Sequence, residues 1–165
     1  MVEDLRSVIT LQEGATLTQV IQAVRLYLRD FQNLNRLVAG VESGERFIAF
    51  AVSDALADWN ATPPRIGSVG IRNHPAPHLL VRRAAATVLE GVMHLQTRNN
   101  LSYSDGSNVS VNASDKGPQL QQIINWMLAR YDKDKKDIKI AMNIEGGWGG
   151  VHSELFAIGG YYGFS

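Results

Sequence analysis

Four stretches of this sequence place apolar residues at helical spacing, with Gly and Pro punctuating the gaps between them. That pattern most narrows what the chain can become, because each stripe needs another helix to cover it. The first stretch opens on Thr16-Leu-Thr-Gln19, a capping box whose hydroxyl and amide satisfy free N–H groups. Leu17, Val20, Ile21, Val24, Leu28 and Phe31 follow on one face, with Arg25 and Arg29 four apart on a polar side. Asn33 and Asn35 break or bend this helix, which resumes through Leu37 and Val38 and stops at Gly40. Ser43 opens a second helix, striped by Ile48, Ala51, Val52, Ala55, Leu56 and Trp59. Asn60 to Pro64 end it, since Pro neither continues a helix nor leaves its predecessor free. Residues 61–75 form a long irregular connection suited to contacting a neighbour.

A third helix starts near Pro77 and runs to about Asn99. Val81, Ala84, Ala85, Val88, Val92 and Leu95 line one face, widened by Leu89 and Met93, and the run Ala84-Ala85-Ala86 allows close helix–helix approach. Residues 101–113 read as a short hairpin or ordered loop around Asp105-Gly106, with Val109 and Val111 alternating with polar residues. Ser114 or Asp115 caps the fourth helix, and Pro118 fits its first turn. Leu120, Ile123, Ile124, Met127, Leu128, Tyr131, Ile138 and Met142 keep one face over ~40 Å. The run from Asp132 to Lys139 mixes signs at i,i+4 spacing, as in Asp132 with Lys136, and reads as a solvated surface. Gly146 and Gly147 end the regular part. The expected fold is therefore mainly α: an amphipathic bundle of about four helices with a small β element and an extended C-terminal arm. Residues 1–145 form the bundle domain and 146–165 the arm.

The arm has its own chemistry. It reads GGWGGVHSELFAIGGYYGFS, seven glycines and five rings in twenty residues, with no Lys or Arg after Lys139. Glycine makes a backbone costly to order, whereas aromatic rings carry much apolar area and few rotamers. Such a ribbon gains little by folding alone and more by lying on a partner. Trp148, Phe156, Tyr161, Tyr162 and Phe164 are the expected anchors, and Gly146, Gly147, Gly149 and Gly150 the hinge.

Composition narrows the function classes. The chain has 165 residues, 45% of them apolar, enough for one domain with a real core. Its 16 basic and 16 acidic residues cancel, which removes any electrostatic drive toward nucleic acid or an anionic membrane. It has no Cys, so no disulfide framework, thiolate nucleophile or Cys-based metal site. MVEDLRSVITLQEG does not read as a signal peptide, and no run of about 18 apolar residues spans a bilayer. Three Asn-X-Ser/Thr sequons, at Asn60, Asn108 and Asn112, then read as chance matches.

No catalytic constellation emerges. His74 and His78 have a spacing able to hold zinc on a helix, but Pro75 and Pro77 fall between them and a third ligand is missing. His94 and His152 read as packing or surface residues. Gly146 to Gly150 lack the Gly-Lys-Ser/Thr that a phosphate loop needs. Asp54 and Asp58 sit one turn apart, off the apolar stripe, so a solvated face fits better than a paired acid and base. Asp105 with Ser104, Ser107 and Asn108 lacks calcium-loop spacing. Arg82, Arg83 and Arg98 are too few for a nucleic-acid stripe, though they suit an acidic partner or the wall of a DNA passage in a ring. No metal, cofactor or enzymatic activity is expected.

Three segments carry a family resemblance: VITLQEGATLTQVIQAVRLYLRDF, then FAVSDALADWNATPP, then YSDGSNVSVNASDKGPQLQQIINWMLARYDKDKKDIKIAMN leading into the arm. Together they resemble the small head–tail connector proteins of tailed bacteriophages, the adaptor or neck proteins below the portal. The resemblance implies a virion structural protein, assembled in the host cytoplasm as a homo-oligomeric ring, commonly of about twelve copies. Its C-terminal arm would dock on the portal, other neck or tail proteins would lie beyond it, and genome DNA would pass its channel without specific binding. Another head-closure or tail-completion role is the near alternative. A small helical hydrolase or ligand-binding protein using His74, His78 and aspartates is the distant one.

Overall fold

The computed structural model describes residue 11 and residues 14–35, 40–64, 67–98, 103–105, 109–111 and 117–148. They form a mainly α bundle of four helices: α1 (Leu17–Leu28), α2 (Glu45–Ala61), α3 (Pro77–Arg98) and α4 (Gly117–Trp148). The backbone of Tyr103–Asp105 (β1) pairs antiparallel with that of Val109–Val111 (β2), Ser104 opposite Ser110.

Helix α3 is the hub and packs on each of the other three. Its three consecutive alanines, Ala84 to Ala86, are all fully buried, so α3 turns small residues toward more than one neighbour. Val20, Ile21 and Val24 of α1 and Ile48, Ala51, Val52 and Ala55 of α2 join Leu80, Ala84, Ala85 and Val88 in one core, to which α4 contributes Met127. Small residues on the hub let the neighbouring backbones approach, and branched residues around it fill the remaining space. A second, smaller cluster gathers Trp59, Ala76, Leu79 and Tyr131 where α2, α3 and α4 meet.

The capping box at α1 forms as expected: Gln19 N–H donates to the Thr16 hydroxyl, and Thr16 N–H donates to Gln19 Oε1 at 2.9 Å. The end of α1 differs from the expectation. It stops at Leu28, where Arg29 takes a left-handed conformation (φ 58°) and donates its N–H to the carbonyls of Arg25 and Leu26. Asp30 then turns inward and ties the loop to the start of α2. Its carboxylate accepts from the Glu42 N–H at 2.8 Å, the Ser43 N–H at 3.0 Å and the Asn35 amide at 2.7 Å. These bonds hold its pKa below the usual 3.8 against the opposing effect of burial. A resumed helix through Leu37 and Val38 lies outside the described residues. Helix α2 starts at Glu45 with Gly44 as its cap and no side-chain capping bond; Ser43, expected to open it, is buried against Asp30 instead.

The connection 61–75 is bound by its own molecule. The Asn60 amide pairs both ways with the Val69 backbone at 3.0 Å, imitating a strand contact, and the Lys139 ammonium donates to the carbonyls of Thr62 and Pro64. Leu17 and Leu95, placed on buried stripes by spacing, are 41% and 48% exposed because each lies near a helix end, beyond its neighbours' cover. The expected caps of α4, Ser114 and Asp115, lie outside the described residues. At its other end α4 continues through Gly146 and Gly147 to Trp148, so the helix does not stop where the double glycine was expected to end it.

Candidate docking surfaces

Helices α2 and α4 are joined by long side chains, with α3 seated between their backbones. Tyr131 is buried and donates its hydroxyl to Asp58 Oδ2 at 2.6 Å; Lys135, also buried, reaches the same oxygen at 2.8 Å and Asp132 at 3.1 Å. The Lys135 ammonium lies 4.6 Å from the Tyr131 ring centroid, and that of Lys139 5.2 Å from the Trp59 ring. Burial acts to raise the Asp58 pKa, but Lys135 and Tyr131 outweigh it and hold the carboxylate below its usual range. Burial and the adjoining Asp58 charge keep the Tyr131 phenol protonated. Arg82 pairs with Asp134, and Arg83 with Asp54 at 3.2 Å, extending the seam along α3.

The solvated-face expectation therefore fails for part of this region. Asp58 is engaged, and Lys135 and Lys139 are inside. Their positions continue the buried row of Ile124, Met127 and Tyr131 at steps of three and four, a signal present in the sequence but masked by charge. Lysine suits such a position, because its stem packs on rings while its ammonium reaches a partner.

The seam has no room for a substrate. The cavity beside Trp59, Val69, Lys139 and Met142 holds about 10 Å³, one water at most. His74, read as an ordinary loop histidine, is fully buried with its ring 4.5 Å from Trp59. Its Nδ1 accepts the Ala76 N–H at 3.1 Å, and its Nε2 has no partner. Burial first, then the charges of His78 and Lys139, push its pKa down to about 4, so the ring is neutral. No group of three metal-ligating side chains gathers at His74 and His78, or elsewhere among the described residues.

Two surfaces do stand open. A groove of about 650 Å³ runs between the start of α2 and the end of α3, lined chiefly by Phe47, Gly91, Val92 and Leu95. Gly91 makes room for Phe47: a Cβ there would stand 2.5 Å from the ring. The other is the outer side of α4, where Ile123, Trp126, Ile140 and Ile144 are 48–58% exposed and Arg130 lies 5.7 Å over the Trp126 ring. Neither was foreseen from the sequence, which had placed Ile123 on the buried face.

Of the expected docking residues, Trp148 is the last residue of α4, and Gly146 and Gly147 are exposed in its final turn rather than forming a hinge beyond it. Gly149, Gly150, Phe156, Tyr161, Tyr162 and Phe164 lie outside the described residues. Past Met142, which still packs on the Trp59 cluster, Asn143 to Gly147 are all exposed, so the last described turns of α4 lie beyond the cover of the bundle. No helix among the described residues is long and apolar enough to cross a membrane. Compared with known proteins, the chain matches no family model, no curated protein and no solved structure.

Proposed function

We propose that this protein is a virion structural component, a ring-forming adaptor that joins the portal to the neck or tail of a tailed phage. One observation carries the docking role: α4 runs on past Met142, its residues Asn143 to Gly147 are exposed, and in the sequence Trp148 and the other rings follow directly after them. The connector identity rests on the sequence resemblance.

In this account Trp148, Phe156, Tyr161, Tyr162 and Phe164 fill pockets on the portal. Each well-buried ring contributes about 1.5–3 kcal/mol before ordering costs are subtracted. Repetition around a ring turns weak single contacts into a durable joint. Deleting residues 149–165 is expected to leave helical circular dichroism unchanged while abolishing capture by the portal protein encoded in the same genome. Undiminished capture would refute the arm.

A further inference from the structure

The outer side of α4 carries a stripe with an internal logic. Trp126, Arg130, Lys133, Asp137, Ile140 and Ile144 follow one another at steps of four and three, the spacing of a seam between two helices. At 100° per residue the stripe lies ~160° around α4 from the buried row of Ile124, Met127, Tyr131, Lys135 and Lys139. It therefore points away from the bundle, and none of the other described helices covers it. Trp126 is 58% exposed, and Ile140 and Ile144 are each 53% exposed. Among the described residues, neither Lys133 nor Asp137 belongs to an ion pair.

The order of residues along the stripe selects the partner. Its two ends are apolar and its middle is charged, basic toward Trp126 and acidic toward Ile140. A second α4 laid antiparallel, with a two-fold axis at the level of Lys135, sets Trp126 opposite Ile144, Arg130 opposite Ile140 and Lys133 opposite Asp137. The symmetry then repeats each pairing. Arg130 holds its guanidinium over the Trp126 ring, which leaves its apolar stem to meet Ile140 of the other copy. A parallel, in-register pair would instead set Lys133 against Lys133 and Asp137 against Asp137. Like charges at the centre exclude that arrangement.

We propose that the exposed stripe of α4 is an isologous docking surface for α4 of a second copy of this chain, antiparallel and two-fold symmetric. The contact goes beyond the connector reading and stands or falls apart from it. It is closed by its own symmetry, whereas a ring grows by head-to-tail contacts between unlike surfaces. A single helix pair is small for a protein interface, which makes the dimer weak, with a dissociation constant on the order of micromolar to tens of micromolar. Exposed ion pairs add little affinity, so the apolar ends supply the attraction and the Lys133–Asp137 pairs set the direction.

The test is sedimentation velocity of the full chain over a concentration series, with circular dichroism confirming that each variant keeps its helices. Lys133→Glu makes the middle of the stripe acidic and Asp137→Lys makes it basic, and each alone is expected to weaken the dimer about tenfold or more. An equimolar mixture of the two restores association, because each supplies the charge the other lacks. Ile140→Ser, which changes no charge, also weakens the dimer. The proposal is overturned by a wild type that stays monomeric near about 1 mM. It is equally overturned if both single-charge variants associate like wild type, or if mixing them restores nothing.

Discussion

The two sides of α4 invert the usual relation between polarity and exposure. The inner side buries two lysines, and the outer side exposes a tryptophan and three isoleucines. On the inner side the bundle leaves a gap between α2 and α4 that short apolar residues would not bridge. Tyr131, Lys135 and Lys139 span it, covering rings with their stems and ending on Asp58 and on the carbonyls of Thr62 and Pro64. On the outer side Trp126, Ile140 and Ile144 are more than half exposed, with only Arg130 of their own helix set over the Trp126 ring among the described residues. Charge is kept inside where it has a fixed partner, and apolar area is left outside, where the proposed partner is a second copy of the chain. A helix that serves both roles must be long, and α4 is the longest of the four.

The sharpest way to break this comparison is to truncate one aromatic residue on each side. Tyr131→Ala removes a buried ring and a hydrogen bond to Asp58, and is expected to cost about 3–5 kcal/mol of unfolding free energy in urea titration. Trp126→Ala is expected to stay within about 0.5 kcal/mol in the dilute, monomeric protein. Equal losses would mean that the outer ring is packed after all.

Acid distinguishes the sides next. His74 is neutral in the fold with a pKa of about 4, against 6.5 for an unstructured histidine. The unfolded chain therefore takes up a proton first as pH falls. The stability this group supplies is complete above pH 6.5 and is lost progressively between 6.5 and 4, by up to about 3 kcal/mol. His78, also lowered, acts in the same direction. Asp30 and Asp58 have pKa values below 3.8 and lose their contributions only in stronger acid. Urea midpoints measured from pH 7 to pH 4 check the slope, which His74→Phe should flatten. A wild-type midpoint constant over that range would show that the ring is not held neutral.

A smaller effect separates the lysines. Lys135→Ala leaves Asp58 half-buried with Tyr131 as its main remaining partner and is expected to cost about 2 kcal/mol. Lys133→Ala, two residues away on the outer side, should change monomer stability by less than about 0.5 kcal/mol. Urea titration of the two variants ranks them directly.

Much of this architecture is legible from local sequence. The Thr16–Gln19 capping box, Pro77 in the first turn of α3 and the NATPP stop after α2 all act through residues close in the chain. The features that escape such reading are long-range. Asp30 caps backbone groups 12 and 13 residues away, which no local pattern announces. Lys135 and Lys139 continue an apolar row but carry charge, so a polarity pattern places them outside, although their spacing alone would have placed them inside. The double glycine at 146 and 147 reads as a stop because each glycine costs a helix about 1 kcal/mol, yet α4 carries that cost through its last turn. The candidate docking stripe is hidden for a related reason: apolar spacing groups Ile123 with Leu120, Ile124 and Met127 on one face, and Trp126, Ile140 and Ile144 follow a second seam that becomes visible only once the inner one is known.

The most direct test of the docking account is amide hydrogen exchange across residues 140–165, measured on the full-length chain alone and again after addition of the portal protein encoded in the same genome. The account predicts that the Gly-aromatic segment exchanges fast in the free protein and slows markedly on the portal, while the Tyr131–Lys139 turns of α4 stay protected in both. Protection of that segment already present in the isolated chain, or exchange unchanged by the portal, would contradict it.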